Sequence, residues 1–192
     1  MRQVPTKELL GTTVKKPVLG VGTWLLSNDE AYKSVKTAIR DYGYRQIDTA
    51  KMYNNEEGVG RAIKECINEG IVKREDIFIT TKLWIDGRDK VEQELKGSMQ
   101  RLQVDYIDLY IMHFMVPDIK KSTLTVGRTS LMDVWRDMES CQKKGLCRAI
   151  GVANCNTVML LDLLSFCEIK PASNQLELHP YLTLQPVLDF HR

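Results

Sequence analysis

Short apolar runs alternate with longer amphipathic segments along nearly the whole chain, and this alternation leaves few folds open. Strands are expected at Val18–Val21, Gln46–Thr49, Asp76–Lys82, Tyr106–His113, Arg148–Ala153 and Ser173–Leu178. Helices are expected after each: from Ser27 to about Asp41, then Glu57–Glu69, Asp89–Leu102, Leu131–Lys144, Thr157–Cys167 and Leu184–His191. The punctuation agrees with this reading. Ser27-Asn28-Asp29-Glu30 reads as a capping box, and Gly43, Gly70 and Gly145 follow helix ends. Six strand–helix units in a row imply a parallel sheet covered by helices. Thr6–Lys16, ahead of the first strand, reads as a small hairpin within residues 1–17 that plugs one end of the sheet. The 17-residue stretch from Phe114 to Ser130 is the longest irregular segment. Residues 1–192 are expected to form one domain.

Composition narrows the function classes. Apolar residues make up 43% and charged residues 27%, as in ordinary globular proteins. The net charge is only +2 and the basic residues are scattered, so no nucleic-acid footprint is expected. Lys120-Lys121 and Lys143-Lys144 read as solvated faces. No apolar run approaches membrane-span length, and Met1–Pro5 has no apolar signal core. The 5 cysteines (66, 141, 147, 155, 167) include no C-x-x-C pair, which argues against a disulfide framework or zinc site and fits the reducing cytoplasm. His179 and His191 suit no metal motif.

Strict strand–helix alternation suits either an open doubly wound sheet or a closed barrel. Gly20-Val21-Gly22-Thr23-Trp24 lacks the third glycine of the dinucleotide-binding turn, and no acidic residue stands where that fold binds ribose. Instead, polar residues end successive strands: Asp48, Lys82, His113, Asn154 and Gln175. In a barrel those ends meet around one mouth, where barrel active sites lie.

The chemistry of these groups converges. Unpaired charges at the ends of apolar strands would be costly, and pairing Asp48 with Lys82 offsets part of that cost. Tyr53 follows on the turn into the second helix. A free tyrosine hydroxyl has a pKa of about 10, and a nearby ammonium favours its phenolate and makes it a better acid. His113 is placed to hydrogen-bond a substrate carbonyl oxygen. No side chain supplies a hydride, so a nicotinamide cofactor is implied. Asn154 and Gln175 offer amides to orient its carboxamide. A structural ion pair and amides that merely satisfy loop backbone are the plainer alternatives.

The segments Gly43-Tyr44-Arg45-Gln46-Ile47-Asp48-Thr49-Ala50, Tyr53-Asn54-Asn55-Glu56 with Gly60, Thr81-Lys82-Leu83-Trp84, Asp108–His113, Gly151-Val152-Ala153-Asn154 and Asn174–Tyr181 together resemble the aldo-keto reductase family, in family order and over nearly the whole chain. The resemblance implies a TIM-type (β/α)₈ barrel, of which about six units are present here, and reduction of aldehydes and ketones with NADPH, with NADH as the other nicotinamide. It implies Tyr53 as the acid, Asp48 and Lys82 as its tuners, and His113 as the substrate orienter. Cofactor contacts would come from Thr23, Trp24, Asp48, Asn154 and Gln175, and substrate contacts from Trp24, Trp84, His113 and Phe114. Gln46 departs from the family's usual residue harmlessly, while Ile85, Phe114, Ala153 and Cys155 depart from it in ways that bear on cofactor affinity and substrate preference. A (β/α)₈ barrel typically takes about 250 residues. The chain therefore reads as C-terminally truncated, without the strands that carry the rest of the cofactor grip. Its partner is expected to be a small carbonyl compound. The family is monomeric, but open sheet edges can drive self-association. A catalytically silent structural or interaction protein is the alternative function.

Overall fold

The computed structural model describes residues 4–116 and 129–190, together with the backbone of Ile119–Lys120 and Thr125–Val126. The strands are β1 (Thr6–Glu8), β2 (Lys15–Pro17), β3 (Val21–Gly22), β4 (Gln46–Asp48), β5 (Phe78–Leu83), β6 (Ile107–Met112), β7 (Ile119–Lys120), β8 (Thr125–Val126), β9 (Cys147–Ala153) and β10 (Asn174–Gln175). The helices are α1 (Asn28–Arg40), α2 (Glu56–Asn68), α3 (Val91–Leu102), α4 (Leu131–Lys143), α5 (Thr157–Phe166) and α6 (Gln185–Phe190). Six strands form one all-parallel sheet in the order β10-β9-β6-β5-β4-β3, while β1 and β2 pair antiparallel as the N-terminal hairpin.

The central strands are buried at every residue in β5 and β6, as expected of strands covered on both faces. Their two-residue period separates two cores. Ile79, Leu83, Tyr110 and Met112 pack outward with the helices, beside Ala31, Val35 and Ile39 of α1. Phe78, Leu109, Ile111, Ala149 and Ala153 face inward and pack on Leu9 and Val14 of the hairpin. The hairpin thus fills the concave side of a curled sheet. Trp135 of α4 is fully buried in the outer core and donates from its ring nitrogen to Ile169 O at 3.0 Å.

The cap at Ser27 forms as expected: Ser27 N donates to Glu30 Oε2 at 2.8 Å, and Glu30 N donates to Ser27 Oγ at 3.3 Å. Several boundaries differ from expectation, and the reasons are physical. The first strand is Val21–Gly22 rather than Val18–Val21, leaving Val18 and Leu19 exposed. The sixth is Asn174–Gln175 rather than Ser173–Leu178. Both lie at sheet edges, where only one neighbour supplies ladder hydrogen bonds, and β-propensity alone does not extend them. α3 starts at Val91 instead of Asp89, because the chain first makes a 3₁₀ turn at Ile85–Gly87. α2 starts at Glu56 and α6 spans Gln185–Phe190, with His191 outside the described residues. Within the stretch expected to be irregular, β7 and β8 pair antiparallel. The expected solvated face at Lys120-Lys121 lies outside the described side chains.

Candidate active site

The two-residue period sets which side chains enter the concave face. Phe78 and Lys82 share one face of β5, Gln46 and Asp48 one face of β4, and Leu109 and Ile111 one face of β6, which His113 continues. Register then aligns the neighbours: Asp48 pairs with Thr80, and Lys82 with Ile111. Lys82 is 1% exposed. An ammonium has three donors, and this one uses them on Asp48 Oδ1 at 2.5 Å, Thr49 O at 2.9 Å and Tyr53 Oη at 3.2 Å. The Tyr53 oxygen therefore accepts from Lys82, and its own O–H makes no hydrogen bond with a described residue. The hydroxyl is free to donate outward.

Tyr53 is held by a 3₁₀ turn, Lys51–Tyr53, which ends at Asn54 with φ of 52°. The left-handed region suits asparagine better than most residues. Beneath this turn lies a network that no motif reading assigned. Thr23 Oγ1 lies 3.0 Å from Thr49 Oγ1 and 3.2 Å from Asn55 Oδ1, and Asn55 Nδ2 donates to Thr23 O at 2.7 Å and to Leu26 O at 2.8 Å. Thr23 was expected to line the mouth for cofactor. Its side chain is instead fully enclosed, so its hydroxyl braces the turn from below.

His113 stands across from Tyr53, ring centroids 5.8 Å apart and nearly perpendicular. It is 8% exposed, and its Nδ1 is buried without a hydrogen-bond partner among the described residues. Burial, and then the Lys82 charge, push its pKa down to about 4, so the ring is neutral at ordinary pH. Aromatic rings wall the space above. Trp24 is half exposed with its ring 4.8 Å from that of Tyr53, Trp84 packs 5.1 Å from His113, and Phe114 stacks on His113 at 5.3 Å.

Each of the two amides has one end engaged. Asn154 Nδ2 donates to His113 O at 3.0 Å, and Gln175 Nε2 donates to Asp48 Oδ2 at 2.7 Å. Asn154 Oδ1 and Gln175 Oε1 make no hydrogen bond with a described residue and are left as acceptors. Asn154 has φ of 58°, a second left-handed asparagine at the mouth. The structure thus brings Asp48, Tyr53, Lys82, His113, Asn154 and Gln175 together, with Trp24, Trp84 and Phe114 around them. The arrangement can donate a proton from a hydroxyl backed by an ammonium, beside a neutral imidazole.

Comparison with known proteins agrees with this geometry. The profile of the Aldo/keto reductase family matches residues 18–191. The chain is 36% identical to an NADP-dependent D-sorbitol-6-phosphate dehydrogenase of Malus domestica, over 94% of this chain and 62% of that protein. It is 39% identical to an NADH-dependent D-xylose reductase of Candida parapsilosis, over 91% of this chain and 59% of that protein. The crystal structure of a Bombyx mori aldo-keto reductase in complex with NADP superposes with a TM-score of 0.90 at 37% identity, covering 98% of this chain and 63% of that one. The chain therefore spans about three-fifths of the length of these relatives.

Proposed function

Because this chain belongs to the aldo/keto reductase family, we propose that it reduces aldehydes or ketones to alcohols, taking hydride from NADPH and a proton from Tyr53. The observation that carries this reading is the Tyr53 hydroxyl: its oxygen accepts from a fully committed Lys82 ammonium, so its proton is the one available to a ligand. The nicotinamide supplies the hydride when bound. Asn154 Oδ1 and Gln175 Oε1 fit it as acceptors for a carboxamide NH₂.

A substrate carbonyl enters under Trp24, Trp84 and Phe114, with its oxygen toward Tyr53 and His113. The neutral imidazole can donate a hydrogen bond to that oxygen without bringing a second full charge. As negative charge develops there, Tyr53 transfers its proton, and Lys82 stabilises the phenolate left behind. Asp48 holds Lys82 in place and offsets its charge. Tyr53→Phe removes the proton and leaves the ring, so turnover of a simple aldehyde should be lost while NADPH fluorescence quenching persists. Full activity in that variant overturns the mechanism. The relatives' cofactors include both phosphorylated and unphosphorylated nicotinamides, and running the titration with NADH beside NADPH settles which this chain takes.

A cytoplasmic location is supported by the cysteines. All five are free, and burial pushes the thiol of Cys141 up to about 11 and that of Cys155 up to about 12, which keeps both unreactive. No helix among the described residues is long and apolar enough to cross a membrane.

A second reading, a silent interaction protein, is favoured by one observation. The outer side of α5 is uncovered, with Val158 75% and Leu161 54% exposed beside the edge strand β10. Absence of NADPH binding at millimolar concentration would select it. Light scattering reports whether the same edge brings two copies together.

A further inference from the structure

Asn55 is the N-cap of α2, two positions after Tyr53. An asparagine there ordinarily turns its side-chain oxygen onto the second or third amide of its own helix. Asn156 does so for α5, accepting from Met159 N at 2.9 Å. The Asn55 side chain makes no such bond. Gly58 N, the third amide of α2, donates instead to Asn28 Oδ1 of α1 at 2.9 Å. Gly58 has no side chain to hold α1 away, so the cap arrives from another helix and the Asn55 amide is released from it.

That amide turns inward. Asn55 is fully buried, with two N–H donors and an oxygen that can accept twice. Nδ2 donates to Thr23 O at 2.7 Å and to Leu26 O at 2.8 Å. These carbonyls are the two ends of the turn that presents Trp24, a turn closed by Leu26 N donating to Thr23 O at 3.2 Å. Asn55 Oδ1 lies 3.1 Å from Thr49 Oγ1 and 3.2 Å from Thr23 Oγ1. Thr49 is also a backbone partner of Lys82, whose Nζ donates to Thr49 O at 2.9 Å. Tyr53 sits between these two anchored pieces, with Lys82 Nζ 3.2 Å from its hydroxyl oxygen and the Trp24 ring 4.8 Å from its own.

We propose that Asn55 is a positioning residue for Tyr53: it clamps the Trp24 turn and the Thr49 backbone to the turn that carries the phenol, and so holds that phenol between Lys82 and Trp24. The consequence for catalysis rests on the reductase reading; the geometric coupling does not. An amide with only a local structural role would cap its own helix, as Asn156 does. Here the cap is handed to Asn28, and all four bonding directions of Asn55 go to the segments that flank Tyr53. Proton transfer rewards such a clamp, because a misplacement of about 1 Å can cost a hundredfold in rate.

The test reads Tyr53 directly, by NMR of the full chain labelled at tyrosine Cζ, with the signal assigned by Tyr53→Phe. Lys82→Met marks where that signal lies once the ammonium is gone. In Asn55→Ala the signal should move toward the same position. Asn28→Ala removes the cap and leaves the clamp, so it should lower the thermal midpoint without moving the signal. A Tyr53 signal that stays in place in Asn55→Ala overturns the proposal, and so does one that Asn28→Ala moves as far. Should Asn55→Ala not fold, Thr49→Val decides by the same signal. It takes one hydroxyl from Asn55 and keeps the carbonyl on Lys82. A shift that Thr49→Ser reverses supports the clamp, and an unmoved signal overturns it.

The functional arm uses the full chain with NADPH and a simple aldehyde. Asn55→Ala should lower kcat about tenfold while the KM for NADPH changes less than about twofold, the split expected when the acid is misplaced and the cofactor is not. Asn28→Ala should leave both as they are. An unaltered kcat in Asn55→Ala overturns the positioning role. If the unmutated chain turns over no aldehyde, the reductase reading fails, and the Tyr53 signal still decides the coupling.

Discussion

The Gln175 side-chain amide donates a 2.7 Å hydrogen bond to Asp48 Oδ2, although the two residues lie on strands with three others between them in the sheet. Such a bond forms only because the sheet curls until β10 faces β4 across the interior. It also divides the work of the Asp48 carboxylate. One oxygen takes Lys82, and the other ties down an edge strand whose ladder is only two residues long.

Gln175→Leu removes that tie while keeping the side chain's bulk. The net loss should be about 1.5 kcal/mol, the low end for a single hydrogen bond to a charged group. It should be concentrated at β10, where amide hydrogens exchange faster than those of β5 and β6. Uniform loss of protection across the sheet would show that the bond holds more than the edge.

Lys82→Met strips the carboxylate of its ammonium and Tyr53 of its donor. Asp48 is partly exposed, so the cost sits at the low end for breaking a buried pair, roughly 3 kcal/mol. Urea denaturation measures it. Pairing the change with Asp48→Asn should recover part of that stability and none of the turnover. Additive losses in the double variant would mean that the two residues act independently.

The centre of this fold was legible in the sequence and its margins were not. Phe78–Leu83 and Ile107–Met112 announce themselves because strands covered on both faces are mostly apolar and β-branched. Asp48, Lys82 and His113 stand out for the same reason, as polar breaks at the ends of such runs. Val18–Val21 also reads as a strand from its valines, yet at a sheet edge there is no second neighbour to extend its pairing. The bracing of Thr23 by Thr49 and Asn55 was invisible, because three small polar residues carry no pattern until the chain brings positions 23 and 55 together.

Gly58 illustrates a constraint of the opposite kind, set by space rather than chemistry. A Cβ built there would lie 2.0 Å from Asn28 O, where α2 crosses the start of α1. The contact is with backbone, so no side chain can swing aside. Gly58→Ala should push the two helices apart and cost roughly 1–3 kcal/mol despite alanine's better helix propensity. Thermal denaturation checks the sign: a higher midpoint would mean that α1 yields easily.

Glu56 is 2% exposed and accepts from Thr81 Oγ1 at 2.6 Å and from Arg101 Nε at 2.8 Å, joining α2, β5 and α3 behind the site. Glu56→Gln keeps the shape but not the charge, and leaves Arg101 without its carboxylate partner. Because Arg101 is one-third exposed and can turn to water, the loss should be about 2 kcal/mol rather than the larger cost of a fully buried cation. Arg101→Met should lower the denaturant midpoint more than Glu56→Gln, because it leaves the buried Glu56 carboxylate charged and unpaired. A much milder effect of the arginine change would assign the stability to Thr81 instead.

His113 should make the protein acid-sensitive in a window of its own. Its pKa is about 4 in the folded chain against 6.5 for an ordinary histidine, because burial and the Lys82 charge oppose protonation. Between those values the unfolded chain binds a proton that the folded chain does not, so unfolding is favoured as pH falls. The stability tied to the neutral ring is therefore complete above 6.5 and is lost progressively as pH drops toward about 4. Surface carboxylates such as Glu92, held down to about 2 by Lys144 and Lys96, act at lower pH and do not produce this slope. Urea unfolding at pH 7 and pH 5 should show a decrease in the unmutated chain that is largely absent in His113→Gln, which has no titrating ring. An equal decrease in both would place the acid sensitivity elsewhere.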